Sequence, residues 1–274
     1  MRLVWARYNP EVKSLSETLK DLIRKPLKIS GYQILKIKHK NDVWFPHELS
    51  LDEKKIIGYV LENKLTMASF ERAVSTGLAV KHVVKNEVEG DFVECGVWRG
   101  GNSMVAAEII RLNGSNKKVW LYDTFSGMTE PTEKDTDMYG SNALEKFKTL
   151  PRNSLESQFW CISNIEEVKT GFASLKLLGN NLEFVMGDVL HTLNEHSKLP
   201  ERISVLRLDT DWYESTLKEL EVLYPRLTKN GILIIDDYGH WSGSRAAVED
   251  YFSNVGNKPF LHPIDNTGRI AVKN

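Results

Sequence analysis

The chain has 274 residues, 41% of them hydrophobic, which suits one α/β domain with an extension, or two small domains, and supports a sizeable core. Its formal net charge of −1 gives no general electrostatic case for nucleic acid. Two cysteines, Cys95 and Cys161, do not make a disulfide framework, and the longest apolar runs fall short of the ~20 residues a membrane span needs. The N-terminus lacks an apolar run followed by a small-residue cleavage site, so a reduced, cytoplasmic protein is expected. The charge is uneven: residues 1–44 hold ten Lys/Arg against four acids, which leaves −7 on the other 230 residues. A basic stretch of this kind is expected to be a solvated extension or an oligomer contact, with an anionic lipid or polymer surface as the alternative.

In chain order, 14–24 has helical spacing in Leu15, Leu19, Leu22 and Ile23, and Pro26 stops it. Amphipathic helices are expected at 51–61, carrying Leu51, Ile56, Ile57, Val60 and Leu61, and at 66–85, carrying Phe70, Val74, Leu78, Val80, Val83 and Val84. From Asp91 onward strands and helices alternate. Strands are expected at 91–97, 118–122, 182–186, 203–208 and 231–235, and helices at 103–112, 163–178, 189–196, 214–227 and 243–252. A turn is expected at 229–231, and 258–263 with 269–273 suits a final antiparallel strand pair. The alternation predicts a doubly wound parallel sheet with helices on both faces. Cys95 falls inside the first strand run and reads as a small buried hydrophobe. Segment 124–150 is long and rich in Thr, Asp, Glu, Pro and Gly, and is expected to close over a substrate.

Two apolar runs end abruptly in carboxylates: 203–208 runs into Asp209 and Asp211, and 231–235 runs into Asp236 and Asp237. A carboxylate at the C-terminal end of a parallel strand sits at the rim where open α/β folds bind ligands. Several such acids together repel one another, so protons, a basic partner or a metal must neutralise them, and an all-oxygen set favours a hard ion such as Mg2+. Helix capping is the plainer role for any one of these aspartates.

The first strand leads into a glycine turn, Gly96 to Gly101, that lacks the G-x-G-x-x-G spacing of a dinucleotide site and is preceded by Glu94. A carboxylate there repels a pyrophosphate and suits an ammonium or sulfonium. Asp123 ends the second strand, where an acid can accept ribose hydroxyls, and Gly187-Asp188 follows the third, where Asp188 can meet an adenine amino group. Each alone reads more simply as a turn glycine or a cap; in order, they describe S-adenosylmethionine.

Four long segments carry a resemblance: Phe92 to Gly101, Tyr122 to Met128, Leu206 to Thr216 and Ile234 to Trp241. With Leu223 to Leu227 and Thr267 to Ile270 they closely resemble the macrocin O-methyltransferase (TylF-like) family over about 65–273, whereas residues 1–50 match none of its segments. The resemblance implies a class I methyltransferase Rossmann-like fold: a seven-stranded, mostly parallel sheet of order 3-2-1-4-5-7-6 in domain 65–274. Residues 1–64, which the resemblance does not reach, are expected to be a basic, helical extension that serves as oligomer contact or lid. It implies Mg2+-dependent methyl transfer from S-adenosylmethionine to a sugar hydroxyl, on a glycosylated natural product, glycan or nucleotide sugar, by a homo-oligomer. By matching position, the metal ligands are Asp209, Asp236 and Asp237, and Asp211 is the general base, with His240 competing for that role. The expected cofactor set is Thr66, Met67, Ser69, Glu94, Gly96, Val97, Gly100, Ser103, Asp123, Thr124, Ser126, Gly187, Asp188 and Asp209. Trp98, Trp212, Tyr213 and Trp241 either stack on a sugar or pack the helices that follow their strands. Alternatives left open are a nicotinamide-dependent sugar oxidoreductase, a catechol-type acceptor, and a non-catalytic binding protein on the same fold.

Overall fold

Five parallel strands carry the chain back and forth: β1 (Asp91–Cys95), β2 (Val119–Asp123), β3 (Leu182–Met186), β4 (Ile203–Leu208) and β5 (Leu227–Ile235). Two antiparallel strands, β6 (His262–Pro263) and β7 (Arg269–Val272), complete the edge beside β5. The order is β3-β2-β1-β4-β5-β7-β6, as the resemblance implied. The chain reverses its direction of winding between β1 and β4, so a crevice opens at their C-terminal ends. This computed structural model describes residues 44–151 and 158–274. The expected helix at 14–24 lies outside the described residues.

Strand residues alternate between two apolar layers, as the period of 2 requires. Phe92, Leu121, Val205, Ile232 and Ile234 face α1 (Leu51–Glu62), α2 (Phe70–Lys85) and α3 (Gly101–Leu112). Val93, Cys95, Tyr122, Leu206, Leu208, Leu233 and Ile235 face α7 (Tyr213–Leu223) and α8 (Ser242–Val255). Shorter helices fill the connections: α4 (Ala143–Thr149), α5 (Ile165–Ser174) and α6 (Val189–Thr192). Cys95 is fully buried, and burial pushes its thiol well up. Among the described residues no helix is long and apolar enough to cross a membrane.

The unit that holds this sheet begins at Phe45, upstream of the 64/65 boundary expected from sequence. The reason is α1. Ser50 and Glu53 cap it reciprocally, and Ile56, Ile57 and Val60 are buried in the same layer as α3. Glu53 also takes an ion pair from Lys81 on α2, inside that layer.

Several element boundaries differ from expectation for local reasons. The helix expected from 66 starts at Phe70, where the Ser69 hydroxyl accepts the Arg72 N–H. Helix α7 stops at Leu223, since Pro225 supplies no N–H, and a 3-10 turn covers Tyr224–Arg226. The turn expected at 229–231 lies within β5: Asn230 takes φ +65° and shifts the register, while hydrogen bonds to Lys273 on both sides keep the strand in the sheet. Strand β6 is only His262–Pro263, short because proline cannot donate to a ladder.

The Glu53–Lys81 pair gives a stability test. Lys81→Met leaves the Glu53 carboxylate, 1% exposed, without its counter-ion. We expect a loss of ~3 kcal/mol in urea unfolding, the scale for breaking one side of a buried pair. A loss below ~1 kcal/mol would show that water or Asn113 already satisfies Glu53.

Candidate active site

A cavity of about 570 Å³ opens at the C-terminal ends of β1, β2, β4 and β5. Its floor is built on register. Glu94 pairs with Arg207 across β1 and β4, and the two project to the same face. Arg207 is fully buried; its Nη1 lies 2.8 Å from Glu94 Oε1 and 2.6 Å from Asp209 Oδ2. Its Nη2 binds Asp236 Oδ1. One guanidinium therefore joins the ends of three strands. The Ser103 hydroxyl, from α3, donates to the other oxygen of Glu94.

The glycine turn is held from both sides. Asp123 Oδ2 accepts the Val97 N–H at 2.7 Å and the Trp98 N–H at 2.8 Å, and its Oδ1 accepts the Phe125 N–H at 2.7 Å. The Thr124 hydroxyl makes a fourth, longer contact with Oδ1 at 3.5 Å, so the roughly four acceptor positions of the carboxylate are all engaged, this one weakly. Burial nonetheless raises the Asp123 carboxyl, against these hydrogen bonds. Gly96 takes φ +83°, and a Cβ there would stand 1.9 Å from the Asp209 carbonyl oxygen. On the other side, the Gly101 N–H donates to the Leu65 carbonyl, and Asn102 donates to the Thr66 hydroxyl. The segment 65–68 is thereby stitched to the turn, which explains why Thr66 and Met67 reach the cavity.

Of the expected cofactor set, Thr66, Met67, Glu94, Gly96, Val97, Asp123, Thr124, Gly187, Asp188 and Asp209 line the cavity. Four stand elsewhere. Ser69 caps α2 and donates to Asp265; Gly100, at φ +84°, packs on Val168; Ser103 is buried behind Glu94; Ser126 is exposed. Asp188 also caps α6 through the Leu190 N–H.

The strand-end acids divide differently from the expected metal set. One oxygen each from Asp209, Asp211 and Asp237 lie within 4.8 Å of one another. Asp236 is turned away from this group, with one oxygen on Arg207 and the other on Arg72. Asp237 is 8% exposed, and its Oδ2 has no hydrogen-bond partner. Burial pushes the Asp211 carboxyl up to about 7, opposed by its hydrogen bond to Asp237. Burial and neighbouring acids also raise Asp209 and Asp237. Asp211 takes φ +71°, the left-handed conformation. His240 lines the same cavity, and burial lowers its pKa.

Segment 124–150 forms a pinned wall of the cavity. Asp135 is fully buried and accepts the Tyr213 N–H at 2.8 Å, capping a helix whose own N-cap residue, Trp212, supplies no side-chain cap. Thr136 accepts the Ser242 N–H at 2.9 Å, and Asp137 pairs with Lys146 at 2.7 Å. Trp212 and Trp241 pack edge to face at 4.9 Å, and the Trp212 indole donates to the Thr129 carbonyl. Of the expected aromatic rim, Trp212 and Tyr213 are packing residues that do not line the cavity, whereas Trp98 and Trp241 face it.

Sequence reasoning missed Arg207, Arg72, Asp135 and the Asp137–Lys146 pair. Only Arg207 left a signal: an arginine inside an otherwise apolar strand must find acids.

The strand order and the crevice at β1 and β4 define a class I methyltransferase fold. The macrocin O-methyltransferase (TylF) family model matches residues 60–272, and the chain belongs to that family. A tetracenomycin-C 4'-O-methyltransferase of Streptomyces olivaceus, acting on a dimethoxyrhamnosyl derivative by its name, is 35% identical over 204 residues, 74% of this chain and 73% of that protein. Demethyldecarbamoylnovobiocin O-methyltransferase of Streptomyces niveus is 33% identical over 207 residues, 75% of this chain and 74% of that one. The structure of the O-methyltransferase NovP matches with a TM-score of 0.66 at 31% identity, covering 76% of this chain and 81% of that chain. The protein is an O-methyltransferase, which removes the oxidoreductase and non-catalytic alternatives.

The turn gives a direct test. Gly96→Ala should destabilise the fold by at least about 2 kcal/mol, since both φ and the Asp209 carbonyl oppose a Cβ. An unchanged unfolding midpoint would contradict this close approach.

Proposed function

We propose that this enzyme methylates a sugar hydroxyl of a glycosylated natural product, using S-adenosylmethionine and Mg2+. The observation that carries the reading is the buried, unpartnered Asp237 oxygen within a converging set of carboxylates, Asp209, Asp211 and Asp237. The set is all oxygen, which fits a hard divalent ion, and its raised carboxyl pKa values are those of acids short of a counter-charge. Asp209 and Asp237 belong both to this set and to the one the resemblance implied. A rhamnosyl acceptor is named for the Streptomyces olivaceus relative, and demethyldecarbamoylnovobiocin for the Streptomyces niveus relative.

S-adenosylmethionine supplies an electrophilic methyl group on a sulfonium. Mg2+, held by Asp209 and Asp237, would favour ionisation of the acceptor hydroxyl and offset its developing charge. The protein's own groups do the rest. Glu94, fixed by Arg207 and Ser103, presents negative charge to the cationic amino-acid end of the donor. Asp123 holds the glycine turn and exchanges its long Thr124 contact for a ribose hydroxyl. Asp211 accepts the hydroxyl proton: its carboxylate lies beside Asp209 and Asp237 at the rim of the same cavity. Trp98, Trp241 and the pinned wall line the acceptor side and limit water. The acceptor gains an O–CH3 bond as the S–CH3 bond breaks, leaving S-adenosylhomocysteine.

A homo-oligomer in the cytoplasm is part of the same reading.

The test is methyl transfer from labelled S-adenosylmethionine to a panel of rhamnosyl and noviosyl glycosides. Transfer should require Mg2+ and stop with EDTA. Asp211→Asn should lower turnover by ~10²-fold or more with S-adenosylhomocysteine affinity unchanged. Full turnover in that variant would move the proton to His240 or solvent. Transfer to catechols with none to any sugar would replace the acceptor class.

A further inference from the structure

The site contains a second cation that the mechanism above does not use. Arg72 lies in the first turn of α2, lines the cavity, and has a side chain only 15% exposed. Its Nη1 binds Asp236 Oδ2, and its Nε lies 3.0 Å from Asp265 Oδ2. Asp265 is itself fixed: it accepts the Ser69 hydroxyl at 2.6 Å and the Gly268 N–H at 2.6 Å. The stem of Arg72 lies against Gly268, where a Cβ would come within 2.9 Å of its Cδ.

Asp236 is thus the strand-end acid whose two oxygens both lie on guanidiniums. Its neighbour Asp237 keeps a buried oxygen with no partner. Two groups can neutralise this cluster, a divalent ion or arginines, and on Asp236 the arginines are in place. Arg207 is locked by Glu94 and Asp209 and cannot leave without stranding them. Arg72 holds Asp236 from the cavity side, and Asp265 can retain its charge if Asp236 is released.

We infer that Arg72 and the divalent cation compete for Asp236, so that Arg72 occupies the carboxylate when the ion is absent and sets how tightly the ion is held. The inference rests on the metal-dependent reading above and concerns its third carboxylate. It reconciles the set implied by resemblance, which includes Asp236, with the set the fold brings together, which does not. In the ion-free state Asp236 belongs to Arg72; with the ion bound it joins Asp209 and Asp237.

The experiment is Mn2+ binding by electron paramagnetic resonance on the full chain, with Arg72→Gln, Asp236→Asn and the double variant. Arg72→Gln should bind Mn2+ about tenfold more tightly, the scale of one screened charge contact. The gain should vanish when Asp236 is already Asn, because the competition runs through that carboxylate. A gain that persists in the double variant would mean a general charge effect and overturn the competition. Unchanged or weaker binding in Arg72→Gln would overturn it as well. Arg72→Lys, which keeps charge but cannot bridge Asp236 and Asp265 with one fork, should fall between wild type and Arg72→Gln. That series keeps the question open to refutation if Asp236→Asn fails to fold. Mn2+ binding in wild type with no change in Arg72→Gln sinks the inference alone; no binding in any variant removes the ion from the site and the inference with it.

Discussion

The buried guanidinium of Arg207 is the constraint on which the site depends. It stands next to the C-terminal end of a strand that is buried throughout, and it reaches Glu94, Asp209 and Asp236. A charge at zero exposure is tolerated only with partners, and those partners are tolerated only with it. The register between β1 and β4, which sets Glu94 beside Arg207, therefore also fixes where the acids of β4 and β5 come out. The arrangement leaves an imbalance. Among the described residues, Glu94, Asp209 and Asp236 share Arg207 and Arg72, and Asp211 and Asp237 form no ion pair. Burial with too little positive charge raises the Asp209, Asp211 and Asp237 carboxyls, and this is the electrostatic setting in which a divalent ion binds.

One cavity spans Glu94 and the glycine turn, the acid group, and residues of the wall built from 124–150. That wall is tied to the starts of α7 and α8 by Asp135 and Thr136, the two helices that follow the acid-tipped strands. Movement of the wall is thus coupled to the ends of β4 and β5. The sequence reading treated this segment as a closing loop; its length and polarity gave no sign that Asp135 would be a buried helix cap.

Much of the layout was legible because strand ends in this fold carry their chemistry at a fixed place. Asp123, Gly187 and Asp209 each follow an apolar run, and all three line one cavity. Ser69, Ser103 and Ser126 lie in segments close to the site, but Ser69 caps α2, Ser103 is buried on α3 behind Glu94, and Ser126 is exposed in a bend. The pairing of Asp236 with Arg72 was not legible, because the two are far apart in sequence and nothing in the first turn of a helix marks an arginine for a strand end. The helix α1 was legible from its spacing at 51–61, but its packing against α3 in the layer below the sheet was not, because that contact is made far along the chain. Asp135 shows the same limit, since a cap supplied from a distant loop leaves no local spacing to read.

The central claim is that one cavity takes the methyl donor and a divalent ion together. A thermal-shift titration with S-adenosylhomocysteine, with and without Mg2+, tests it most directly. A ligand that binds only the folded state adds RT ln(1 + [L]/Kd), ~2.7 kcal/mol at a hundredfold excess over Kd. The account predicts a shift with the nucleoside and a further shift with Mg2+ that is lost in Asp237→Asn. No shift with the nucleoside, or a Mg2+ shift that survives in Asp237→Asn, would contradict it.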